Sequence, residues 1–219
     1  MRAFVQARMS SRRFPGKVLA PFRGKPLIWH VTGAVARALP SVPLVVATSD
    51  EASDDPLAAY VRDLGFPVFR GPRDDVFERF RRCLGDYPCD WILRVNADSP
   101  LLSGHVLRTV HGLAAMECDV VTTTAPRTFP RGQNLELIRT TTFAAVDPLR
   151  LTDEDREHVT RYFYRHPDEF QIVNVESGDA QLSGFSVAVD TIEDLQRLER
   201  LSEEGLRDLC NPPHVAGQR

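Results

Sequence analysis

The fold of this protein is decided at residues 3–17, where the sequence is AFVQARMSSRRFPGK. Residues 3–7 are mostly apolar and predict a short strand. The next ten residues are largely polar, carry four cationic side chains and include Pro15 and Gly16, which are typical of loops. Apolar residues then recur at helical spacing across residues 26–39. The stretch therefore predicts the first strand–loop–helix unit of an α/β fold.

Strand and helix patterns keep alternating up to about residue 120. Residues 44–47, LVVA, form a continuous apolar run, as is typical of a parallel strand buried on both faces. The other predicted strands are 67–69, 91–95 and 119–123, and the other predicted helices are 54–64, 75–84 and 103–116. This alternation predicts a doubly wound, mostly parallel, Rossmann-like sheet with right-handed crossovers.

The pattern changes after residue 123. Residues 124–138 contain two prolines and a glycine and predict an extended segment. The remaining predicted elements are two helical stretches, the second at 152–166, then strands at 170–175 and 185–189, and a last helix that follows Asp190, with Thr191 and Asp194 as its capping box. We predict one domain at 1–210, with an insertion at about 124–186, and a flexible tail at 211–219.

The positive charge of the chain is concentrated near its N-terminus. The first acidic residue is Asp50, so residues 1–49 carry a formal charge of +8, although the whole chain has a net charge of -3. The cations at residues 8–17 follow a strand, at the edge where open α/β sheets bind ligands. A small polyanion such as a nucleoside triphosphate fits such a loop. A solvated loop without a role and a transit peptide are the competing interpretations, and Pro15-Gly16 argues against the second because it would break an amphipathic helix.

The loop is not a common phosphate-binding motif. A Walker A motif needs Gly-x4-Gly-Lys-Ser/Thr, whereas Ser11 stands at the first glycine position and Val18 follows Lys17. A GxGxxG motif is absent as well. Arg8, Arg13 and Lys17 are therefore the candidate phosphate-binding side chains, and backbone N–H groups near Ser11 can donate too.

Two aspartates are candidate ligands of Mg²⁺. Asp98 follows the predicted strand at 91–95, and Asp190 follows the predicted strand at 185–189. Carboxylates at the ends of parallel strands can converge at one sheet edge, and Mg²⁺ takes one or two of them together with substrate phosphates. The competing interpretations are a turn aspartate and a helix cap; the second is weaker because Thr191 can itself cap the last helix.

Bulk properties exclude several classes of protein. The sequence has no apolar run near 18 residues and no signal-peptide pattern, so we expect a protein without a membrane span that stays in the cytoplasm. An isoelectric point near 6.1 does not favour a nucleic-acid-binding domain.

Residues 6–19, QARMSSRRFPGKVL, resemble the opening signature of the cytidylyltransferases that activate sugar acids as CMP derivatives, a motif close to QARMGSTRLPGKVL. The resemblance is nearest to the spore-coat polysaccharide (SpsF-like) branch, with the CMP-Kdo and CMP-sialic acid synthetases as relatives. Shorter matches follow in the same order along nearly the whole chain, at 24–27, 47–49, 69–71, 74–76, 94–101, 129–136, 156–160, 189–191 and 193–195.

The resemblance implies a GT-A-like nucleotidyltransferase that transfers CMP from CTP to a sugar acid and releases pyrophosphate, with Mg²⁺ as cofactor. It implies catalytic roles for Arg8, Arg13 and Lys17 and Mg²⁺ ligands in Asp98 and Asp190. The implied nucleotide-binding residues are Gln6, Ala7, Arg8, Ser11, Arg13, Lys17 and Asn96, and the implied acceptor-binding residues are Gln133, Asn134, Glu136, Arg156 and His158. A homodimer is also implied, with residues 124–138 as its arm.

The sequence departs from the family pattern at three positions. Arg12 replaces a small polar residue, Ser99 replaces a cysteine, and Asn134 stands where the branch often has aspartate. Because that negative charge is lost from the implied acceptor pocket, the identity of the acceptor stays open. A sugar phosphate, a phosphonate or a molybdopterin-type compound could take the place of the sugar acid. A glycosyltransferase and an inactive nucleotide-binding module are also compatible with the pattern. Arg156 and His158 can equally be surface residues of a helix.

Overall fold

A single mixed sheet of eight strands forms the centre of the protein. The computed structural model describes residues 1–202 and the backbone of residues 216–218. The strands are β1 Arg2–Gln6, β2 Pro21–Phe22, β3 Lys25–Pro26, β4 Leu44–Ser49, β5 Val68–Gly71, β6 Trp91–Asn96, β7 Val120–Thr122, β8 Leu135–Arg139, β9 Ile172–Glu176 and β10 Ala216–Gln218. The sheet order is β10-β9-β7-β8-β6-β1-β4-β5, while β2 and β3 form a separate two-stranded ribbon. β8 and β10 run antiparallel to their neighbours, and the other strands of the sheet are parallel to one another.

Helices cover both faces of the sheet, which confirms the predicted doubly wound architecture. They are α1 Leu27–Ala38, α2 Asp55–Asp63, α3 Val76–Asp86, α4 Gly104–Gly112, α5 Thr140–Ala145, α6 Asp153–Glu157, α7 Arg161–Arg165 and α8 Ile192–Arg200. Successive side chains of β1 alternate between the faces: Ala3 and Val5 pack with α1, α2 and α4, whereas Phe4 packs with α3, α5 and α7. Every residue of β4 is buried, as its continuous apolar run predicts.

The secondary structure after residue 123 differs from the prediction. Residues 135–139, within or next to the predicted extended segment, form β8, which lies antiparallel between β6 and β7. The predicted helix at 152–166 is two short helices, α6 and α7.

The predicted strand at 185–189 is wrong. Within the described residues, this segment makes only an isolated bridge between Ser186 and Arg131. Its backbone groups are satisfied by loops: Val187 N–H donates to the Arg131 carbonyl (2.7 Å) and Val189 N–H donates to the Asp98 carbonyl (2.8 Å). The last helix, α8, begins as predicted, with the Thr191–Asp194 capping box in place.

The chain after residue 202 is described only at 216–218. These residues belong to the predicted flexible tail and form β10, which pairs with β9. The rest of the predicted tail, 211–215 and 219, lies outside the described residues. Within the described part of the chain, no helix is long and apolar enough to cross a membrane.

Candidate active site

The polar loop after β1 opens onto a cleft of about 330 Å³ at the carboxyl ends of β1 and β6. Gln6 and Asn96 are paired in register at these two strand ends. The cleft contains all the residues predicted to be catalytic, nucleotide-binding or metal-binding, together with one predicted acceptor residue: Gln6, Ala7, Arg8, Ser11, Arg13, Lys17, Asn96, Asp98, His158 and Asp190. It is the sheet edge at which open α/β sheets bind their ligands.

The loop is shaped by a buried carboxylate and a glycine. Asp54 is fully buried, and its side chain accepts hydrogen bonds from Met9 N–H (2.6 Å), Thr48 Oγ1 (2.8 Å), Ser49 N–H (2.9 Å) and the Ser49 hydroxyl. At the far end of the loop, Gly16 N–H donates to the Met9 carbonyl (2.8 Å). Gly16 has a φ of 75°, a conformation that suits a residue without Cβ, and this turn leads directly into Lys17.

Burial alone raises the pKa of a carboxyl group, but the hydrogen bonds from Ser49, Met9 and Thr48 outweigh it and hold the pKa of Asp54 below its ordinary value of 3.8. Asp54 is therefore ionised at neutral pH, and a charged acceptor holds the loop close to β4.

Lys17 lies between the two predicted metal ligands. Its Nζ donates to Asp98 Oδ2 (3.0 Å), to Asp190 Oδ1 (3.1 Å) and to the Val189 carbonyl (2.9 Å). The Lys17 side chain is only 11% exposed, against 28% for Asp98 and 38% for Asp190. Because both bonds meet at one nitrogen, the two carboxylate oxygens lie within about 6 Å of each other.

Two contacts bring Asp190 to this position although no strand ends there. The bond from Val189 N–H to the Asp98 carbonyl ties the two segments together. Gly132 makes a second close approach: a Cβ on this residue would lie 2.7 Å from Ala188 N. Any other residue at position 132 would push the segment that carries Asp190 away, and the φ of 99° also favours glycine.

The other cations of the loop differ in their partners. Arg13 pairs with Asp190 Oδ2 (2.9 Å) and is 65% exposed. Arg8 pairs with Glu157 Oε1 (3.0 Å). Arg12 is exposed and has no ion-pair partner among the described residues. Arg8, Arg12 and Glu157 also line a second cleft of about 490 Å³ next to the first.

The predicted acceptor residues do not gather at one place. His158 lines the first cleft, and Arg156 lines the second. Arg156 is engaged, since it donates to Asp75 Oδ2 (2.6 Å) and to the Pro148 carbonyl (2.7 Å). Asn134 lines neither cleft; it is half-buried and accepts a hydrogen bond from Arg127.

Gln133 and Glu136, two of the predicted acceptor residues, lie in the interior and line neither cleft. Gln133 is fully buried, and its amide group accepts from Ser103 N–H (2.8 Å) and donates to the Leu101 carbonyl (2.8 Å). Glu136 is 4% exposed and bonds with Arg94 (3.1 Å) and Thr160 (3.3 Å). Both side chains form hydrogen bonds with buried groups, so they stabilise the fold beneath the cleft.

The buried pair Arg94–Glu136 connects the interior to the cleft. Arg94 also donates twice to the Gln6 side-chain oxygen, through Nε (3.2 Å) and Nη2 (3.0 Å). These bonds fix the oxygen of Gln6 toward the interior and leave its amide nitrogen as the part that can face a ligand.

The donor set fits a divalent cation and a polyphosphate together. No group of three or more His, Cys, Asp and Glu side chains is placed to hold a metal within the described part of the chain. Mg²⁺ needs only one or two carboxylates where phosphates complete its shell. Asp98 and Asp190 already converge on a single positive charge, and Arg8, Arg12, Arg13 and Lys17 place four positive charges along the same cleft.

Fold and cleft together define a nucleotidyltransferase. The sequence profile of the cytidylyltransferase family matches residues 3–207, and the chain belongs to this family. It is 28% identical over 206 residues to the spore coat polysaccharide biosynthesis protein SpsF of Bacillus subtilis (strain 168), a match that covers 91% of this chain and 85% of SpsF.

Two further proteins are similar to this chain. It is 34% identical over 152 residues to the 3-deoxy-manno-octulosonate cytidylyltransferase of Anaeromyxobacter sp. (strain K), a match that covers 66% of this chain and 60% of that protein. Among solved structures, a cytidylyltransferase from Leptospira borgpetersenii serovar Hardjo-bovis (strain JB197) superposes with a TM-score of 0.87 at 25% identity, covering 95% of this chain and 91% of that one. The family and enzyme class expected from the sequence are confirmed.

Three residues of the site were not assigned a role from the sequence. Asp54 anchors the loop, Glu157 pairs with Arg8, and Arg12 borders both clefts. Arg12 was visible as a departure from the family signature. Asp54 and Glu157 are ordinary acidic residues in sequence, and only their partners distinguish them.

The Asp54→Asn variant is expected to lose about 3 kcal/mol of unfolding free energy, because an amide nitrogen would face buried donors that now share a charged acceptor. Chemical denaturation measures the loss, with Asp63→Asn, an exposed aspartate at the end of α2, as the control. Since the folded pKa of Asp54 is lowered, its contribution is complete above the ordinary pKa of 3.8 and disappears as the pH falls through the folded value. A loss below about 0.5 kcal/mol would contradict the anchoring role.

Proposed function

We propose that this protein transfers CMP from CTP to a small acidic acceptor such as a sugar acid, releases pyrophosphate and requires Mg²⁺. The observation that carries the proposal is the convergence of Asp98 and Asp190 on one cation beside the cationic loop. Membership of the cytidylyltransferase family supports CTP as the nucleotide. The names of the two curated relatives support a sugar-acid acceptor and a role in polysaccharide biosynthesis.

The residues of the cleft would have separate roles in binding the metal ion, the phosphates and the rest of the nucleotide. Asp98 and Asp190 would hold Mg²⁺, which when bound would neutralise phosphate charge and polarise the α-phosphate. Arg8, Arg13 and Lys17 would bind the β- and γ-phosphates and stabilise the charge that develops on the leaving pyrophosphate. Gln6, Ala7, Ser11 and Asn96 line the cleft where the remainder of the nucleotide would lie.

In the reaction, an acceptor hydroxyl oxygen forms a bond to the α-phosphorus while the bond between that phosphorus and the bridging oxygen of pyrophosphate breaks. The hydroxyl proton leaves to solvent or to the released pyrophosphate. The transfer depends mainly on positioning and on charge neutralisation, so it does not require a dedicated general base.

The second cleft is the proposed acceptor site. It is adjacent to the first, shares Arg8, Arg12 and Glu157 with it, and contains Arg156. Arg12 is exposed and without an ion-pair partner among the described residues, so it suits an anionic group on the acceptor. His158 lies at the nucleotide side of this boundary.

We also propose that the protein is a cytoplasmic homodimer in which residues 124–134 contribute to the interface; residues 135–138, the rest of the predicted arm, are buried in the sheet as part of β8. The support is the family resemblance of the segment that precedes β8.

Pyrophosphate release from each of the four nucleoside triphosphates, combined with a panel of sugar acids, sugar phosphates and phosphonates, tests the proposal. We expect turnover with CTP and a sugar acid, and loss of turnover when a chelator removes Mg²⁺. CTP with Mg²⁺ should also raise the unfolding free energy by about 2.7 kcal/mol at 100 times its dissociation constant.

Three outcomes would contradict the proposal in different ways. Stabilisation by ATP or GTP and none by CTP would refute the proposal that CTP is the nucleotide substrate. Turnover restricted to a sugar phosphate or phosphonate would refute the sugar-acid acceptor. Binding of CTP without pyrophosphate release from any acceptor in the panel would identify a nucleotide-binding module.

A further inference from the structure

The Lys17 ammonium lies where a metal ion bound by Asp98 and Asp190 would also have to lie. Its three hydrogen bonds are all to oxygens, two from carboxylates and one from the Val189 carbonyl, at 3.0, 3.1 and 2.9 Å. The remaining carboxylate oxygens are engaged too: Asp98 Oδ1 accepts from the Ser99 hydroxyl (3.2 Å), and Asp190 Oδ2 pairs with Arg13 (2.9 Å). Each of the four carboxylate oxygens therefore already has a hydrogen-bonding or cationic partner, and the place between the two carboxylates is filled by the Lys17 ammonium.

The formal charges of this group are balanced. Two carboxylates face two cations, Lys17 and Arg13, with a net charge of zero. Adding a divalent cation alone would displace Lys17 and leave an excess of positive charge in a partly buried cleft, which is unfavourable. A triphosphate removes that excess, because Lys17 and Arg13 can turn from the carboxylates to the phosphates.

The exchange needs only side chains to move. The backbone at Lys17 is fixed by the turn at Gly16, by the bond from Ala20 N–H to the Lys17 carbonyl (2.9 Å), and by the anchoring of Met9 on Asp54. The lysine stem has four rotatable bonds, and the Arg13 side chain is already 65% exposed.

We propose that Lys17 is a resident counter-ion that fills the metal position until the nucleotide arrives, so that the divalent cation and the nucleotide bind as one unit. This inference rests on the proposed function. Lys17 is then a positioning residue in the nucleotide-free protein and a phosphate ligand in the loaded protein. The apparent affinity for a free divalent cation is lowered by the fraction of molecules in which Lys17 holds the site.

The test is a titration of nucleotide-free protein with Mn²⁺, in which the free ion is measured by electron paramagnetic resonance. We expect the Lys17→Met variant to bind Mn²⁺ about tenfold more tightly than the wild type, as follows if Lys17 holds the site about nine-tenths of the time. The matched control is Lys25→Met, which makes the same change at an exposed lysine of β3 and should leave the Mn²⁺ affinity unchanged. The double variant Lys17→Met with Asp98→Asn should lose the gain.

Equal affinity in the wild type and in a folded Lys17→Met variant would overturn the proposal. Circular dichroism melts establish that the variant is folded. If it is not, the wild-type protein decides the question, since Lys17 and Lys25 are the only lysines of the chain and ¹³C-lysine labelling gives one side-chain resonance for each.

In the wild type, Mg²⁺ with CTP should move the Lys17 resonance at Mg²⁺ concentrations at which Mg²⁺ alone leaves it in place, while the Lys25 resonance stays fixed in both titrations. Movement of the Lys17 resonance over the same range of Mg²⁺ concentration with and without CTP would overturn the proposal. A failure of the proposed function is distinguishable, because it appears as absent CTP binding or turnover, whereas the Mn²⁺ comparison uses no nucleotide.

Discussion

The Asp98→Asn and Asp190→Asn variants are each expected to lower turnover by about 1,000-fold or more. Each substitution removes one of the two carboxylates that converge at the end of β6 and leaves the site unable to balance the charge of a bound metal. Pyrophosphate release at saturating CTP and acceptor measures the effect. Asp63→Asn, on the exposed end of α2, is the control and should retain full turnover.

The same two variants are expected to lose about 1 kcal/mol of stability in the absence of ligands, since each deprives the poorly exposed Lys17 ammonium of a charged partner. From the sequence alone the opposite would be expected, because two converging carboxylates repel each other. Because the Lys17 ammonium lies between the two carboxylates, removing either one is expected to lower the stability of the protein instead of raising it. Normal turnover in either variant would refute the shared-metal site.

The Glu136→Gln variant is expected to lose about 3 kcal/mol of unfolding free energy, because it leaves the buried Arg94 guanidinium without its countercharge. Arg94 and Glu136 are 8% and 5% exposed in their side chains, so water cannot replace the lost partner. Chemical denaturation measures the effect, and the exposed Glu193→Gln is the matched control.

This variant separates two roles for Glu136. If Glu136 binds the acceptor, the substitution should raise the KM for the acceptor without a loss of stability. If Glu136 instead holds Arg94 beneath the cleft, the substitution should lower the stability of the protein. The double variant Glu136→Leu with Arg94→Met should then recover part of that stability, since two apolar side chains leave no unpaired charge. Unchanged stability with a raised acceptor KM would restore the acceptor-binding assignment.

The sequence indicated which residues come together in the cleft at the ends of β1 and β6, because several of them are close in sequence to strand ends. Gln6 and Asn96 end neighbouring strands, and parallel strands meet at one edge. Asp190 was placed correctly for an incorrect reason: no strand precedes it, and the bond between Val189 and Asp98 brings it to the site. The acceptor residues were less predictable, since similarity of the segment at 129–136 does not reveal that Gln133 and Glu136 point into the interior.

By itself, the sequence determined the alternation of strands and helices, the cationic loop at residues 8–17 and the membership of the cytidylyltransferase family, since local periodicity and a contiguous motif suffice for these. Only the tertiary structure decided the partners of the charges. Lys17 meets Asp98 and Asp190 across 81 and 173 positions of sequence, and Met9 meets Asp54 across 45. Such pairings depend on which strands become neighbours and on which side chains are removed from water, and neither is encoded in the spacing of residues along the chain.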